Sequence, residues 1–182
     1  MRKLKVFLAV LLASLSLHVH PSEIDSLLRE LDMSIRNRPQ YTLKRQEQID
    51  ALQRKLRLSH SDQERYDLYR ELFGKYRSYR MDSALWVANQ RVELAKRMKN
   101  PLYIRSAELN IAEVMIGVAM YKEGLEILDG IKSADLDASG VSYYYYQYHQ
   151  VYTLMADYAF SDQMKEHYRG LAYQYKDSII RD

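Results

Sequence analysis

Tyrosine is the side chain from which this chain has the most chemistry to offer: 17 are present, and the densest group is Tyr143, Tyr144, Tyr145 and Tyr146, continued by Tyr148, Tyr152 and Tyr158. A phenol supplies apolar ring area with a polar handle, which suits recognition. On one helix, Val141, Tyr145, Tyr148, Tyr152 and Met155 form a stripe that Tyr144, Val151 and Tyr158 widen, while Tyr143 and Tyr146 fall towards the other side. Two readings follow. The stripe suits a middle helix packed on two sides, whereas the outlying hydroxyls suit a concave groove holding an extended peptide. Tyr143, Tyr146 and Gln150 are the residues expected to face such a groove.

The remaining reactive side chains point to no catalytic or metal chemistry. His60, His149 and His167 lack the one-turn spacing that helix-borne metal ligands need, so a surface or hydrogen-bonded histidine is expected at each. Glu108 and Glu113, with Asn110 between them, sit five residues apart and therefore on different helix faces. They read as solvated or groove-lining charge. Arg65, Arg70, Arg77 and Arg80 suit either a clamp for an acidic partner terminus or pairing with Asp62, Asp67 and Glu71 at helical spacing, the second requiring less. Trp86, the only tryptophan, has Leu85 and Val87 beside it and reads as packing between helices. No glycine-rich phosphate loop and no Gly-x-Ser-x-Gly elbow occurs, and cysteine is absent. No enzyme, cofactor or metal site is expected.

The elements that position these residues are helical. Ser61 followed by Glu64 has the form of a capping box, and Tyr66, Tyr69, Phe73 and Tyr76 then recur at three and four, with Leu72 and Tyr79 widening the face. A second helix opens at Asp82 and carries Ala84, Ala88, Val92, Ala95 and Met98. Asn100 before Pro101 marks a stop and restart, after which Ile104, Ala107, Ile111, Met115, Val118 and Ala119 make a helix apolar enough to be central. A tight break near Tyr121, a short helix over 123–131 and a loop over 133–140 follow. The last pair spans 141–158 and 162–180. Second helices thus start near 82, 122 and 162, a period of about 40 residues, in the range of helical solenoids.

The segments Tyr76 to Ala84 (YRSYRMDSA) and Met120 to Leu128 (MYKEGLEIL) resemble the turn at which the second helix of a tetratricopeptide repeat begins, with Ala84 and Gly124 as its small residue. The third copy has Met164 there, and the repeats are longer than the usual 34 residues. The resemblance implies an all-α, right-handed solenoid of TPR-like helical hairpins that holds a protein or peptide partner.

Ahead of the repeats, Ser22 is placed to cap a helix bearing Ile24, Leu28, Leu31 and Ile35. Arg38-Pro39 is expected to break it, and Ile49, Leu52 and Leu56 mark a second helix. The two would form an N-terminal helical pair capping the solenoid. Leu31-Asp32, Ile35, Arg38, Tyr41, Lys44, Ile49 and Leu52, then Asp62 to Tyr66, Leu72, Phe73, Tyr76 and Asp82 to Leu85, resemble the beginning of a bacterial family of uncharacterised TPR-containing membrane regulators. That likeness covers about residues 1–130. It implies an exported repeat region, a later membrane helix and a cytoplasmic effector. This chain stops at Asp182, which is expected of a truncated member or a free-standing binding piece.

Arg2, Lys3 and Lys5 precede a twelve-residue apolar run, Val6 to Leu17, too short for a spanning helix of about 20 residues and ordered as in a secretory signal peptide. Removing it removes the formal excess of three basic residues. The remaining chain is neutral, so nucleic acid is not an expected partner. Residues 1–21 are thus expected to be a signal peptide, 22–60 a helical cap, and 61–182 a repeat domain (61–100, 101–139, 140–182). The expected product is a non-catalytic, peptide-binding scaffold of the periplasm or cell envelope, without a transmembrane helix once mature. The other reading is the sensory input region of a membrane-associated regulator.

Overall fold

The computed structural model describes residues 21–181, and the leader expected at the N-terminus therefore lies, apart from Pro21, outside the described residues. Seven α-helices run through them: α1 (Pro21–Leu58), α2 (Asp62–Tyr76), α3 (Met81–Arg97), α4 (Pro101–Gly117), α5 (Tyr121–Asp129), α6 (Ala138–Asp157) and α7 (Asp162–Arg181). A 3-10 turn, Ser133–Asp135, precedes α6. No strand occurs among the described residues.

The expected N-terminal pair is a single helix. α1 continues through Pro39, and Ser22, expected as its cap, is already helical. Proline withdraws only one amide, the partner of the Ile35 carbonyl. Ile35 is exposed, so water can take that carbonyl, and Thr42 Oγ1 donates to the Arg38 carbonyl at 3.0 Å. The chain divides into two units, Met1–Glu47 and Gln48–Asp182. In the first, Ile24, Leu28, Leu31 and Ile35 form the anticipated stripe and are all exposed. The second holds the repeats, an all-α helical-repeat solenoid whose neighbours pack in chain order from α2 to α7, with α4 also touching α6.

Local signals place the helix starts. Ser61 Oγ accepts the Glu64 amide at 3.4 Å, Asn100 Oδ1 the Tyr103 amide at 3.2 Å, and Asp137 Oδ1 the Gly140 amide at 2.7 Å. The box at Ser61 is not reciprocal, because the Glu64 carboxylate accepts from the Ser59 hydroxyl at 2.6 Å instead. Second helices begin at Met81, Tyr121 and Asp162, within one residue of expectation.

Two interhelix turns share one geometry. Lys99 and Ala119 adopt left-handed conformations with φ 53° and 63°. The amide after each reaches back to close the turn, Asn100 N to the Ala95 carbonyl at 3.1 Å and Met120 N to the Met115 carbonyl at 2.8 Å. These are Schellman closures, in which glycine is the usual left-handed residue.

Two cores result. Ile49 and Leu52 join Tyr66, Leu72, Phe73, Val87, Ala88 and Val114 in the first; Leu109, Ala112, Ile116, Leu128, Tyr148 and Val151 build the second. Helix α4 contributes to both. Its contact with α5 is close: a Cβ added at Gly124 would lie 2.8 Å from Ile116 Cγ1 and 3.6 Å from the Ala112 carbonyl oxygen. Trp86, expected between helices, is 55 % exposed at the surface and makes a T-shaped ring contact with Tyr69 of α2, 5.8 Å between centroids.

A paired substitution tests these turns and contacts by urea denaturation. Ala119→Gly removes left-handed strain and should raise the unfolding free energy by about 0.5–1 kcal/mol. Gly124→Ala should lower it by about 1–2 kcal/mol through overpacking, despite alanine's better helix propensity. Gains from both would mean that α4 and α5 have slack.

Candidate functional site

The first helices of the three pairs, α2, α4 and α6, line a groove with a cavity of about 350 Å³. Helix α2 supplies Tyr66, Asp67, Arg70, Phe73 and Gly74, with Arg77 capping its C-terminal end; α4 supplies Leu102, Tyr103, Ser106, Leu109 and Asn110. Its third wall is the start of α6, with Asp137, Ser139, Gly140 and Tyr143, and Arg91 from α3 lies at the base. The walls are tied together by their side chains. Tyr66 stacks on Tyr103 at 4.5 Å and donates its hydroxyl proton to the Tyr103 carbonyl at 2.8 Å. Arg77 reaches Glu113 at 3.1 Å, and Tyr143 donates to the other oxygen of the same carboxylate.

Arg91 is the unusual member. It is 2 % exposed, its guanidinium carbon sits 4.4 Å above the Tyr66 ring centroid, and one Nη donates to Asn110 Oδ1. Asn110 Nδ2 lies 3.5 Å from the Tyr143 hydroxyl. A polar relay therefore runs Arg91, Asn110, Tyr143, Glu113, Arg77, drawing on α3, α4, α6 and α2. Burial lowers the pKa of Arg91 from its ordinary value, with the polarity of Tyr66 opposing that shift. Burial raises the Tyr66 phenol against the opposing pull of Arg91. At Tyr143, burial and then the Glu113 charge hold the phenol well above its usual range.

The three residues expected to share a groove separate. Tyr143 lines it; Tyr146, 49 % exposed, and the half-buried Gln150 lie further along α6, beyond the Asp137–Tyr143 stretch that closes the groove. Most of the remaining tyrosine run packs between α6 and α7. Tyr148 stacks on Tyr175 at 4.4 Å and donates to Asp129 Oδ1 at 2.5 Å, and Tyr152 lies against both Tyr168 and Tyr175. Gln147, also on α6, is fully buried with neither end of its amide hydrogen-bonded.

The charged residues divide in the same way. Arg70 pairs with Asp67 at 3.3 Å as its spacing suggests, but Asp62 pairs across helices with Arg97 at 2.7 Å, and Arg77 leaves α2 for Glu113. Glu108 is held by Arg105 at 2.8 Å. His149 is hydrogen-bonded, with Nδ1 2.9 Å from the Ala172 carbonyl oxygen. Among the described residues no group of three His, Asp or Glu side chains is placed to hold a metal ion. Sequence reasoning did not single out Arg91. Its signal was an arginine in register with Ala84, Ala88 and Ala95, the buried face of a small-residue helix.

Stacked helical hairpins with a groove on their first helices define a tetratricopeptide-like repeat protein, a class of scaffold for protein interaction. Residues 35–181 match the family described as the SusR N-terminal TPR domain, and the chain belongs to that family. No curated protein and no solved structure matches it. None of the helices among the described residues is long and apolar enough to cross a membrane.

The buried phenols make alkaline stability a readout of this packing. Burial raises Tyr66, Tyr143, Tyr148, Tyr152 and Tyr175, each of which holds its proton more firmly folded than unfolded. Their contribution is complete below the unfolded phenol value near 10 and is lost as pH rises above it. The urea midpoint should therefore fall from about pH 10 upwards, and less steeply in Tyr143→Phe and Tyr148→Phe. A flat midpoint to about pH 12 would contradict this.

Proposed function

We propose that this chain is a non-catalytic scaffold that holds a segment of a protein or peptide in the groove of α2, α4 and α6. The observation that carries the reading is the groove's composition: stacked tyrosines with a polar relay beneath them, built by helices from every repeat. Aromatic faces give contact area, while Asn110, Ser106 and the Tyr143 hydroxyl offer hydrogen bonds to a main chain. Catalysis has no corresponding constellation, since Glu113 is committed to Arg77 and Tyr143.

Placing a photo-crosslinking residue at Ser106 or Ser139 should capture a discrete protein in cells, and Arg77→Ala should weaken that band by roughly three- to tenfold. Lys122, exposed on α5, serves as the off-groove position. Identical bands from Lys122 and the groove positions would rule the reading out.

We place the scaffold in the cell envelope, on the strength of the basic start and the Val6 to Leu17 apolar run. A more specific role is the sensory input region of a membrane-associated regulator, with which the family's description as an N-terminal domain is compatible. Mass analysis of the protein from fractionated cells should find the leader removed and the rest in the periplasm. An intact N-terminus on cytoplasmic protein would exclude export.

A further inference from the structure

We propose that the exposed apolar stripe of α1 is a self-association surface, on which two copies of this chain pair in antiparallel order through residues 24–36. Ile24, Leu27, Leu28, Leu31 and Ile35 recur at three and four, so they share one face of the helix. Each is between 47 % and 61 % exposed, and nothing among the described residues covers them. Single apolar side chains at a surface are ordinary, but a contiguous row of large ones marks an interaction site. The stripe is bounded, because its register passes next to Arg38 and Thr42.

The charges beside the stripe select its occupant. Asp25, Arg29, Asp32 and Arg36 run along one flank, acid and base alternating at steps of four, three and four. Among the described residues Asp25, Asp32 and Arg36 form no ion pair, and Arg29 reaches only the Asp25 main-chain carbonyl, at 3.1 Å. When a copy of this row is reversed and laid against it, every acid meets a base. With Ile24 opposite the second copy's Ile35 and Leu28 opposite its Leu31, Asp25 comes within about 3 Å along the axis of the second copy's Arg36, and Arg29 equally near its Asp32. One arrangement thus joins the apolar faces and pairs the charges. In a parallel pair the row would face the other flank, where Leu27, Glu30 and Ser34 offer no positive charge. The antiparallel contact also closes on itself as a two-fold dimer. A lipid surface is the poorer occupant, because helices that lie on membranes are rich in Lys and Arg on the polar face, whereas this segment sets Asp25, Glu30 and Asp32 against Arg29 and Arg36. Exposed ion pairs add little affinity by themselves; their part is to fix the order of two helices that the apolar contact holds together.

Sedimentation equilibrium of the full chain should show monomer exchanging with dimer between about 1 and 200 µM. Leu28→Gln with Leu31→Gln, both at exposed positions, should weaken the dimer by roughly tenfold or more while circular dichroism retains the helical signal of the repeats. A second pair of variants tests the order of the helices. Asp25→Lys with Asp32→Lys makes the row wholly basic, and Arg29→Glu with Arg36→Glu makes it wholly acidic; each alone should dimerise roughly fivefold more weakly, and an equimolar mixture should restore the dimer. Monomer throughout that range would overturn the proposal, and a monomer that gains helix on phosphatidylglycerol vesicles would assign the stripe to a lipid surface instead. A dimer indifferent to the Leu28 and Leu31 changes would place the contact elsewhere and overturn it too. Charge-reversed variants that dimerise as well alone as when mixed would overturn the antiparallel order.

Discussion

The constraint on which the structure depends is that α4 is enclosed on two sides. Its Ala107 and Val114 belong to one core, and its Leu109, Ala112 and Ile116 to the other. A helix so placed can carry little polarity, and it must let its neighbours approach closely. Small residues meet the second requirement, with Ala107 and Ala112 on α4 itself, Ala84, Ala88 and Ala95 on α3, and Gly124 on α5. Each adds little transfer energy alone, but together they set the interhelix spacing at which the larger side chains interlock. The first requirement is breached once at a buried position, by Asn110. Asn110 accepts from Arg91 and lies within hydrogen-bond reach of the Tyr143 hydroxyl, so it ties the positions of those two side chains together.

At the C-terminal end the same problem is solved with aromatic rings. Helices α6 and α7 need wide apolar coverage, and tyrosine supplies it while its hydroxyl reaches a partner at the margin. Tyr148 ends on Asp129, Tyr143 on Glu113, and the Tyr148–Tyr175 stack fills the layer between the helices. The run of four consecutive tyrosines is thus divided by the helix's own geometry. Tyr144 and Tyr145 turn towards the α7 layer, Tyr143 turns to the groove, and Tyr146 is left largely in water.

What could be read from the sequence was whatever a few adjacent residues decide. Ser61 and Asn100 set helix starts through bonds three residues long, and the three-four spacing of Tyr66, Tyr69, Phe73 and Tyr76 set a buried face, whereas the cap at Asp137 lay in a stretch read as loop, so that α6 starts three residues before the expected 141. The repeat followed from these. Features decided by distant packing were not legible. Pro39 carries a strong local stop signal, yet α1 continues through it, the lost amide and the crowding of the Ile35 carbonyl, together about 3 kcal/mol, being set against the helical bonds on either side. Trp86 has apolar neighbours in sequence but points off the core, because Val87 and Ala88 take the inward positions. The groove was partly visible: Tyr143 was singled out and lines it. Its base was not, because an arginine among alanines gains meaning only once Tyr66 lies under it and Asn110 beside it.

The groove's charges differ in what they can contribute. The pairs at the rim, Arg70 with Asp67 and Arg77 with Glu113, retain much solvent exposure, and such pairs are typically worth about 0–1 kcal/mol. The base is different, since Arg91 and Asn110 are buried and Tyr143 half-buried, and their electrostatics are correspondingly stronger. The base is also shared: its relay takes one side chain from each of α2, α3 and α6 and two from α4. A group that binds there acts on the register of four helices at once, and binding linkage then requires that it stabilise the arrangement it prefers. A solenoid whose repeats touch only their neighbours has few places where one contact reaches across all of them. This groove is such a place, and that is the physical reason it suits either holding a partner or passing on that one is bound.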